Sequence, residues 1–142
     1  MRRIVVGAML LAGCPSTPPP ACITVDTTCA PGYVPTFDNV YTNTIAVSCG
    51  GNKSACHSAV GHMDGLIMTD EPTAYAALLA ASGRDPSRMR VVPFDAKCSL
   101  MIVRTHSPGA DYQMPPGQPL TDVEQCALVQ WVQHGALAGS AM

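Results

Sequence analysis

The sequence predicts a small, mostly α-helical domain that is cross-linked by disulfides and has long loops rich in proline and glycine. Apolar residues recur at helical spacing in three separate segments, and no alternation of apolar and polar residues is long enough to build a sheet. Thirteen prolines and twelve glycines, most of them between those segments, indicate the loops. Seven cysteines in 142 residues supply the cross-links.

The first residues carry the features of a bacterial export signal. Arg2 and Arg3 precede an apolar run over residues 4–12, which is too short to span a bilayer. The run leads into Leu11-Ala12-Gly13-Cys14, which resembles the lipobox at which bacterial lipoproteins are cleaved. We therefore expect residues 1–13 to be a lipoprotein signal peptide, with an ordinary signal peptide as the alternative.

In such lipoproteins the cysteine after the cut is acylated, so the resemblance implies that Cys14 anchors the chain to a membrane. Several acyl chains on one residue hold a protein stably, because each buried CH₂ contributes about 0.8 kcal/mol. Pro15, and not an aspartate, follows Cys14. By the sorting preference of these lipoproteins, the resemblance implies the outer membrane, facing the periplasm or the cell surface.

Residues 14–35 form a lead-in between the anchor and the domain. The stretch from Pro15 to Pro20 is rich in proline, serine and threonine, and we expect it to be an extended spacer that lifts the domain off the membrane. Residues 21–35 show no helical period. We expect them to be irregular and pinned by a disulfide.

Cleavage leaves six basic and ten acidic residues, a formal charge of −4. A chain of this charge, with no basic helix or arm, has no electrostatic basis for holding nucleic acid. Its length suits one domain. Seven aromatic residues give only a thin core, so disulfides or a large apolar cofactor have to contribute. Ser99 has no nucleophile-elbow context and no His-Glu-x-x-His motif is present, so we expect the protein not to be an enzyme.

Three segments carry the period of an amphipathic helix. Residues 37–48 follow Thr36 as a cap and run straight into Cys49. Residues 72–82 follow two acidic residues and end at a glycine. Residues 121–134 begin with a capping box, Thr121-x-x-Glu124, and the neighbours of the apolar run over 98–104 favour helix for that run as well.

Pairing of the cysteines is not fixed by the sequence. With Cys14 lipidated, six cysteines remain in an oxidising compartment, which allows fifteen full pairings. Proximity and segment placement favour Cys22 with Cys29 and Cys98 with Cys126. Cys49 and Cys56 are then left to each other or to a cofactor.

The most informative stretch runs from Cys49 to Cys56-His57, two cysteines with a histidine directly after the second. C-type haem is held in this way: the thiols form thioethers and the adjacent imidazole ligates the iron. Met114, just before the last predicted helix, is the candidate for the second iron ligand. The pattern therefore predicts a haem c site formed by Cys49, Cys56, His57 and Met114.

The spacing departs from the usual one, because six residues separate the cysteines where two are usual. Both sulfurs reach one porphyrin edge only if Gly50-Gly51-Asn52 loops out. The alternatives are a disulfide between Cys49 and Cys56, with His57 an ordinary surface residue, or a different metal. Met114 is otherwise one of eight methionines in a loop or core. His62, His106 and His134 are alternative ligands, although a lone loop histidine is usually solvated.

The order of these features resembles the class I cytochrome c fold: a helix leading into Cys…Cys-His, a middle helix, Met-Pro in a long loop, and a last helix with an aromatic residue. Residues 36–137 are similar to cytochrome c-like domains of lipoproteins from soil bacteria, myxobacteria especially. The similarity includes Arg90-Val91-Val92-Pro93-Phe94-Asp95 and Cys98-Ser99-Leu100. Its most specific piece is the C-terminal run from Met114-Pro115-Pro116-Gly117 through Trp131 to Gly135-Ala136.

The resemblance implies that the first and last helices pack together, with Phe37 or Tyr41 near Trp131. It also implies an electron carrier with one covalent haem at the cell envelope, working with a redox partner protein. The alternative is a haem-free, disulfide-stabilised surface lipoprotein that serves as a structural or interaction domain.

Overall fold

The computed structural model describes residues 17–50 and 56–139. Cys14, the predicted lipidation site, therefore lies outside the described residues. All regular elements within the two ranges are helical, which confirms the mostly α prediction. They are α1 (Phe37–Val40), a π-helical stretch (Tyr41–Cys49), α2 (Glu71–Leu78), α3 (Leu100–Thr105), α4 (Asp122–Gln133) and single 3₁₀ turns at Met63–Gly65 and Ala96–Cys98.

The first predicted helix is present but changes type along its length. Thr36 caps α1, since its side chain accepts a hydrogen bond from Asn39 N. Beyond Val40 the helix widens, and Gly50 N donates to Ile45 O, five residues back, at 2.8 Å. Several β-branched side chains crowd this stretch and weaken its preference for the tighter α-helix. The wider turn determines the direction in which Cys49 leaves the helix.

The second helix ends earlier than the sequence predicts. Asp70 caps α2 by accepting a hydrogen bond from Thr73 N at 2.9 Å, but the helix stops at Leu78, not at residue 82. The chain after it pairs with a later segment: Ser82 N donates to Arg88 O and Arg90 N donates to Ala80 O. An isolated antiparallel bridge between Ala81 and Met89 is the only β pairing in the described ranges.

The last helix follows its capping box. Thr121 Oγ1 accepts from Glu124 N, and the Glu124 carboxylate accepts from Thr121 N at 2.9 Å. The short apolar run before it also forms a helix, α3, as its neighbours indicated.

The core forms where α1 meets α4. The rings of Phe37 and Trp131 lie 5.0 Å apart between centroids, so the contact expected from the resemblance is present. Tyr75 of α2 packs edge-on against Phe37 at the same distance. The fully buried side chains around them are Val40, Ile45, Leu78, Val91, Ile102, Leu128, Val129 and Val132.

Two disulfides staple the lead-in to the domain, but the expected pairing is wrong. Cys22 bonds to Cys98, and Cys29 bonds to Cys126. Cysteines that are close in sequence do not pair here, because residues 22–29 run extended along the domain and meet two distant elements. Ile23 N, for example, donates to Lys97 O at 2.9 Å, beside the first disulfide.

The expected spacer is also docked where the structure describes it. Arg88 donates to the carbonyl oxygens of Pro19, Pro20 and Ala21, so this part of the lead-in lies on the domain surface. No helix in the described ranges is both long enough and apolar enough to cross a bilayer.

Candidate functional site

His57 lies inside the domain, not on its surface. It is 8% exposed, and its Nδ1 lies 3.2 Å from the carbonyl oxygen of Leu66. Burial lowers the pKa of His57, while backbone groups of Leu66 and Met63 oppose this shift. An Nδ1–H donated to a backbone carbonyl leaves Nε2 without its proton, the tautomer in which imidazole ligates a metal.

The loop after His57 is folded back on it. Met63 N donates to Cys56 O at 3.0 Å, and His62 N donates to Ser58 O at 2.8 Å. Asp64, at the turn, has a φ of +61°. The folded loop returns Leu66 to His57, and this return holds the imidazole ring in place.

Met68 connects the two halves of the predicted motif. Its backbone N–H donates to His57 O at 2.8 Å. On its other side Gly50 approaches so closely that a Cβ there would lie 2.5 Å from Met68 O. The residues directly after Cys49 and Cys56 therefore meet at one buried methionine.

Cys49 ends the π-helical stretch and is half-buried. Burial raises the pKa of the Cys49 thiol to about 12, and the carboxylate of Glu124 adds to the increase. Cys49 and Cys56 take part in neither disulfide. The loop between them, residues 51–55, lies outside the described residues, as does most of the predicted Gly50-Gly51-Asn52 bulge.

Met114 is half-buried in the proline-rich loop, and its backbone N–H donates to Arg104 O at 3.1 Å. The buried Gln113 side chain holds the loop: its Oε1 accepts from Gly109 N at 2.6 Å, and its Nε2 donates to Pro115 O at 2.9 Å. This role of Gln113 was not predicted, because glutamine in a loop is usually solvated.

A surface groove of about 430 Å³ joins the Met114 loop to the end of the π-helical stretch. Ser48 lines one side and Pro115 the other. These residues are the direct neighbours of Cys49 and Met114 in sequence. The lining includes neither Cys49, Met114 nor His57, so the groove joins only the sequence neighbours of Cys49 and Met114. The residues after Cys49 and Cys56 meet separately, at Met68.

Arg90 and Asp64 form an ion pair beside His57 that the sequence did not single out. Arg90 is 6% exposed, and its Nη2 lies 3.7 Å from Asp64 Oδ2. Its guanidinium also donates hydrogen bonds to Ala77 O and Asp64 O. Its Nε is buried with no hydrogen-bond partner among the described residues. Such a buried N–H of a cation is a ready donor to a carboxylate.

The other histidines are placed differently. His62 is exposed, with Nδ1 2.9 Å from Val60 O, and His134 is exposed at the end of α4. His106 is half-buried, and burial lowers its pKa. Within residues 17–50 and 56–139, no group of three His, Cys, Asp or Glu side chains could hold a metal ion.

The residues present fit a covalent haem in their donor set. His57 is buried and oriented by Leu66, the residues after both cysteines meet at Met68, and the buried Nε of Arg90 is a donor that suits a propionate. In comparisons with protein-family models, curated proteins and solved structures, nothing matches this chain.

Proposed function

We propose that this protein is an electron carrier of the cell envelope that holds one c-type haem. Cys49 and Cys56 would bind the haem through thioethers, with His57 the proximal and Met114 the distal iron ligand. Such a haem supplies reversible one-electron chemistry at its iron.

The observation that carries the proposal is the hydrogen-bond geometry of His57. An imidazole on a mobile surface loop would be solvated at both nitrogens. Here Leu66 O accepts at Nδ1 in a buried setting, so the ring keeps a fixed orientation. A fixed ligand lowers the reorganisation that accompanies each change of oxidation state.

Met114 suits the distal role chemically. A thioether stabilises ferrous iron, so a His–Met pair favours the reduced state more than two histidines would. The hydrogen bonds of Gln113 stiffen the loop around Met114. The positive charge of Arg90 near His57 acts in the same direction, because it also favours the less positive iron.

Location is part of the proposal. We propose that Cys14 is acylated and that the mature chain is held in the outer membrane, at the periplasmic or cell-surface side. Its acidic balance suits a basic redox partner protein and gives no basis for nucleic-acid binding.

The test is the absorption spectrum of protein made together with a c-type cytochrome maturation system. The proposal predicts a red protein with a sharp reduced α-band. His57→Ala should abolish the low-spin spectrum, whereas His62→Ala, its exposed control, should not. Met114→Ala should remove the weak sulfur-to-iron charge-transfer band while haem stays attached, and Met89→Ala, an exposed methionine, should leave the band unchanged.

A second function is favoured by one observation. The described core is already closed by protein side chains, with Phe37 packed between Trp131 and Tyr75, and two disulfides brace it. A haem-free surface lipoprotein acting as a structural or interaction domain would need nothing more. A colourless product whose intact mass shows Cys49 bonded to Cys56 would select this function over the first.

A further inference from the structure

The lead-in lies along the domain from its first described residue. Thr17 N donates to Asp111 Oδ2 at 2.6 Å. Arg88 then donates to Pro19 O at 3.0 Å, Pro20 O at 2.8 Å and Ala21 O at 3.2 Å. The Cys22–Cys98 disulfide follows at once. The chain is therefore fixed to the domain at Thr17, at 19–21 and at Cys22.

This fixation leaves almost no tether between the domain and the predicted lipidation site. Cys14 precedes Thr17 by three residues. A fully extended chain of three residues spans at most about 10 Å. If Cys14 carries acyl chains at the level of the lipid glycerol, Thr17 and its partner Asp111 lie at or just above the headgroups.

The same side of the domain gathers arginines. Thr17 and Pro19, two residues apart, contact Asp111 and Arg88, so these two side chains lie close together. Burial lowers the pKa of Arg104, the charge of Asp64 raises it and the charges of Arg84 and Arg88 lower it, as expected if these groups share one region. Arg104 also donates to Tyr112 O, next to Asp111. Arg84 is exposed, and Arg88 and Arg104 are partly exposed. We call segment 17–21 with Arg84, Arg88, Arg104 and Asp111 the anchor face.

Charge favours lipid phosphates as the ligand of this face. The domain carries net negative charge, yet three of its few basic residues lie here, beside the exposed acids Asp85 and Asp111. The third acid nearby, Asp64, is already paired with Arg90. Guanidinium groups bind phosphate oxygens in a bidentate manner and so compete well for phospholipid headgroups.

We propose that the anchor face lies against the bilayer and that its arginines bind phospholipid headgroups, so that the domain has one fixed orientation on the membrane. The proposal rests on acylation of Cys14 and is independent of haem. The three hydrogen bonds from Arg88 to the carbonyl oxygens of residues 19–21 hold the lead-in against the domain. The position of the lipid anchor therefore fixes the orientation of the whole domain.

The experiment uses the full-length, processed protein in vesicles that contain a phospholipid with a photoreactive diazirine on its headgroup. After irradiation, cross-linked peptides are mapped by mass spectrometry. We expect the adducts to concentrate in residues 17–21, 84–88 and 109–112. Adducts spread evenly over the domain, or absent from these segments, would overturn the proposal, as would a mature chain without acyl groups on Cys14.

Two variants sharpen the result. A flexible Gly-Ser spacer inserted between Pro15 and Ser16 keeps the anchor but lengthens the tether, and it should abolish the concentration of adducts. Arg88→Gln should weaken the labelling of 84–88 and 109–112 severalfold. Lys97→Gln, the same charge change at an exposed site outside the anchor face, should not. Equal loss in the two charge variants would contradict the clamp.

Discussion

The ring of Phe94 lies on Gly135, so closely that a Cβ atom at position 135 would be 2.7 Å from Phe94 Cζ. Phe94 is 67% exposed and has a φ of +66°, which is rare for an aromatic residue. Its N–H donates to Val132 O at 2.9 Å, and its carbonyl accepts from Gln133 Nε2 at 3.1 Å. These bonds and the glycine together fix residue 94 to the end of α4.

Gly135→Ala should therefore destabilise the protein through two separable effects. The φ of +103° penalises any Cβ by about 1–2 kcal/mol, and the clash with the ring adds to this. In a Phe94→Ala background only the first effect remains, so we expect a coupling of about 1 kcal/mol in a double-mutant cycle measured by urea unfolding. Gly109→Ala is the control, because its φ is +81° and nothing lies within 4 Å of its Cβ position. Additive costs at 94 and 135 would contradict the contact.

Removing either disulfide should cost considerable stability, because both close long loops. The bonded cysteines lie 76 and 97 residues apart in sequence. Restriction of the unfolded chain by loops of that length contributes about 4 kcal/mol per bridge. Paired replacement of Cys22 and Cys98 by alanine, or of Cys29 and Cys126, should each lower the free energy of unfolding by an amount of this order. Non-reducing peptide mapping that links Cys22 to Cys29 would refute the connectivity.

Arg90→Met should destabilise the domain even though it removes an unsatisfied N–H. The substitution leaves the carbonyls of Ala77 and Asp64 without their buried donor and removes the ion pair of the Asp64 carboxylate, which keeps its hydrogen bonds from Ser82 and Arg84. Because Asp64 retains some contact with water, we expect a loss of about 2–3 kcal/mol, less than for a fully buried pair. Arg84→Met is the matched control at an exposed arginine and should change stability little. Equal effects in thermal unfolding would show that the Arg90 pair contributes nothing.

His106 should make stability depend on pH. Burial lowers the pKa of this half-buried imidazole below its ordinary 6.5. The unfolded chain therefore binds the proton more readily, so His106 reduces stability as the pH falls through 6.5 and has no effect well above it. The difference in unfolding free energy between wild type and His106→Gln should change between about pH 8 and about pH 5.5. A difference that stays constant over this range would disprove the shift.

Local signals in the sequence anticipated much of the fold. The capping box at Thr121 and the cap at Thr36 each act within four residues, so the starts of α4 and α1 were predicted correctly. The end of α2 was not, because the residues after Leu78 leave the helix to hydrogen-bond with Arg88 and Arg90, and no local pattern encodes such partners. The shift to π-helix geometry before Cys49 was missed for a different reason: the β-branched side chains there weaken the α-helix, but the apolar spacing alone does not separate the two helix types.

The candidate site likewise has features that local sequence predicts and features that only distant contacts set. The sequence by itself determined the residue types of the proposed site, because Cys49, Cys56-His57 and Met114 are singled out by identity and order alone. Only the tertiary structure decided that Leu66 orients His57, that Gly50 and His57 meet at Met68, that Arg90 lies buried beside them, and that Cys22 and Cys29 pair with Cys98 and Cys126. Each of these is a contact between residues far apart in the chain or across a folded loop. Such contacts depend on how whole elements pack, and this packing is a property of the complete chain, not of any segment.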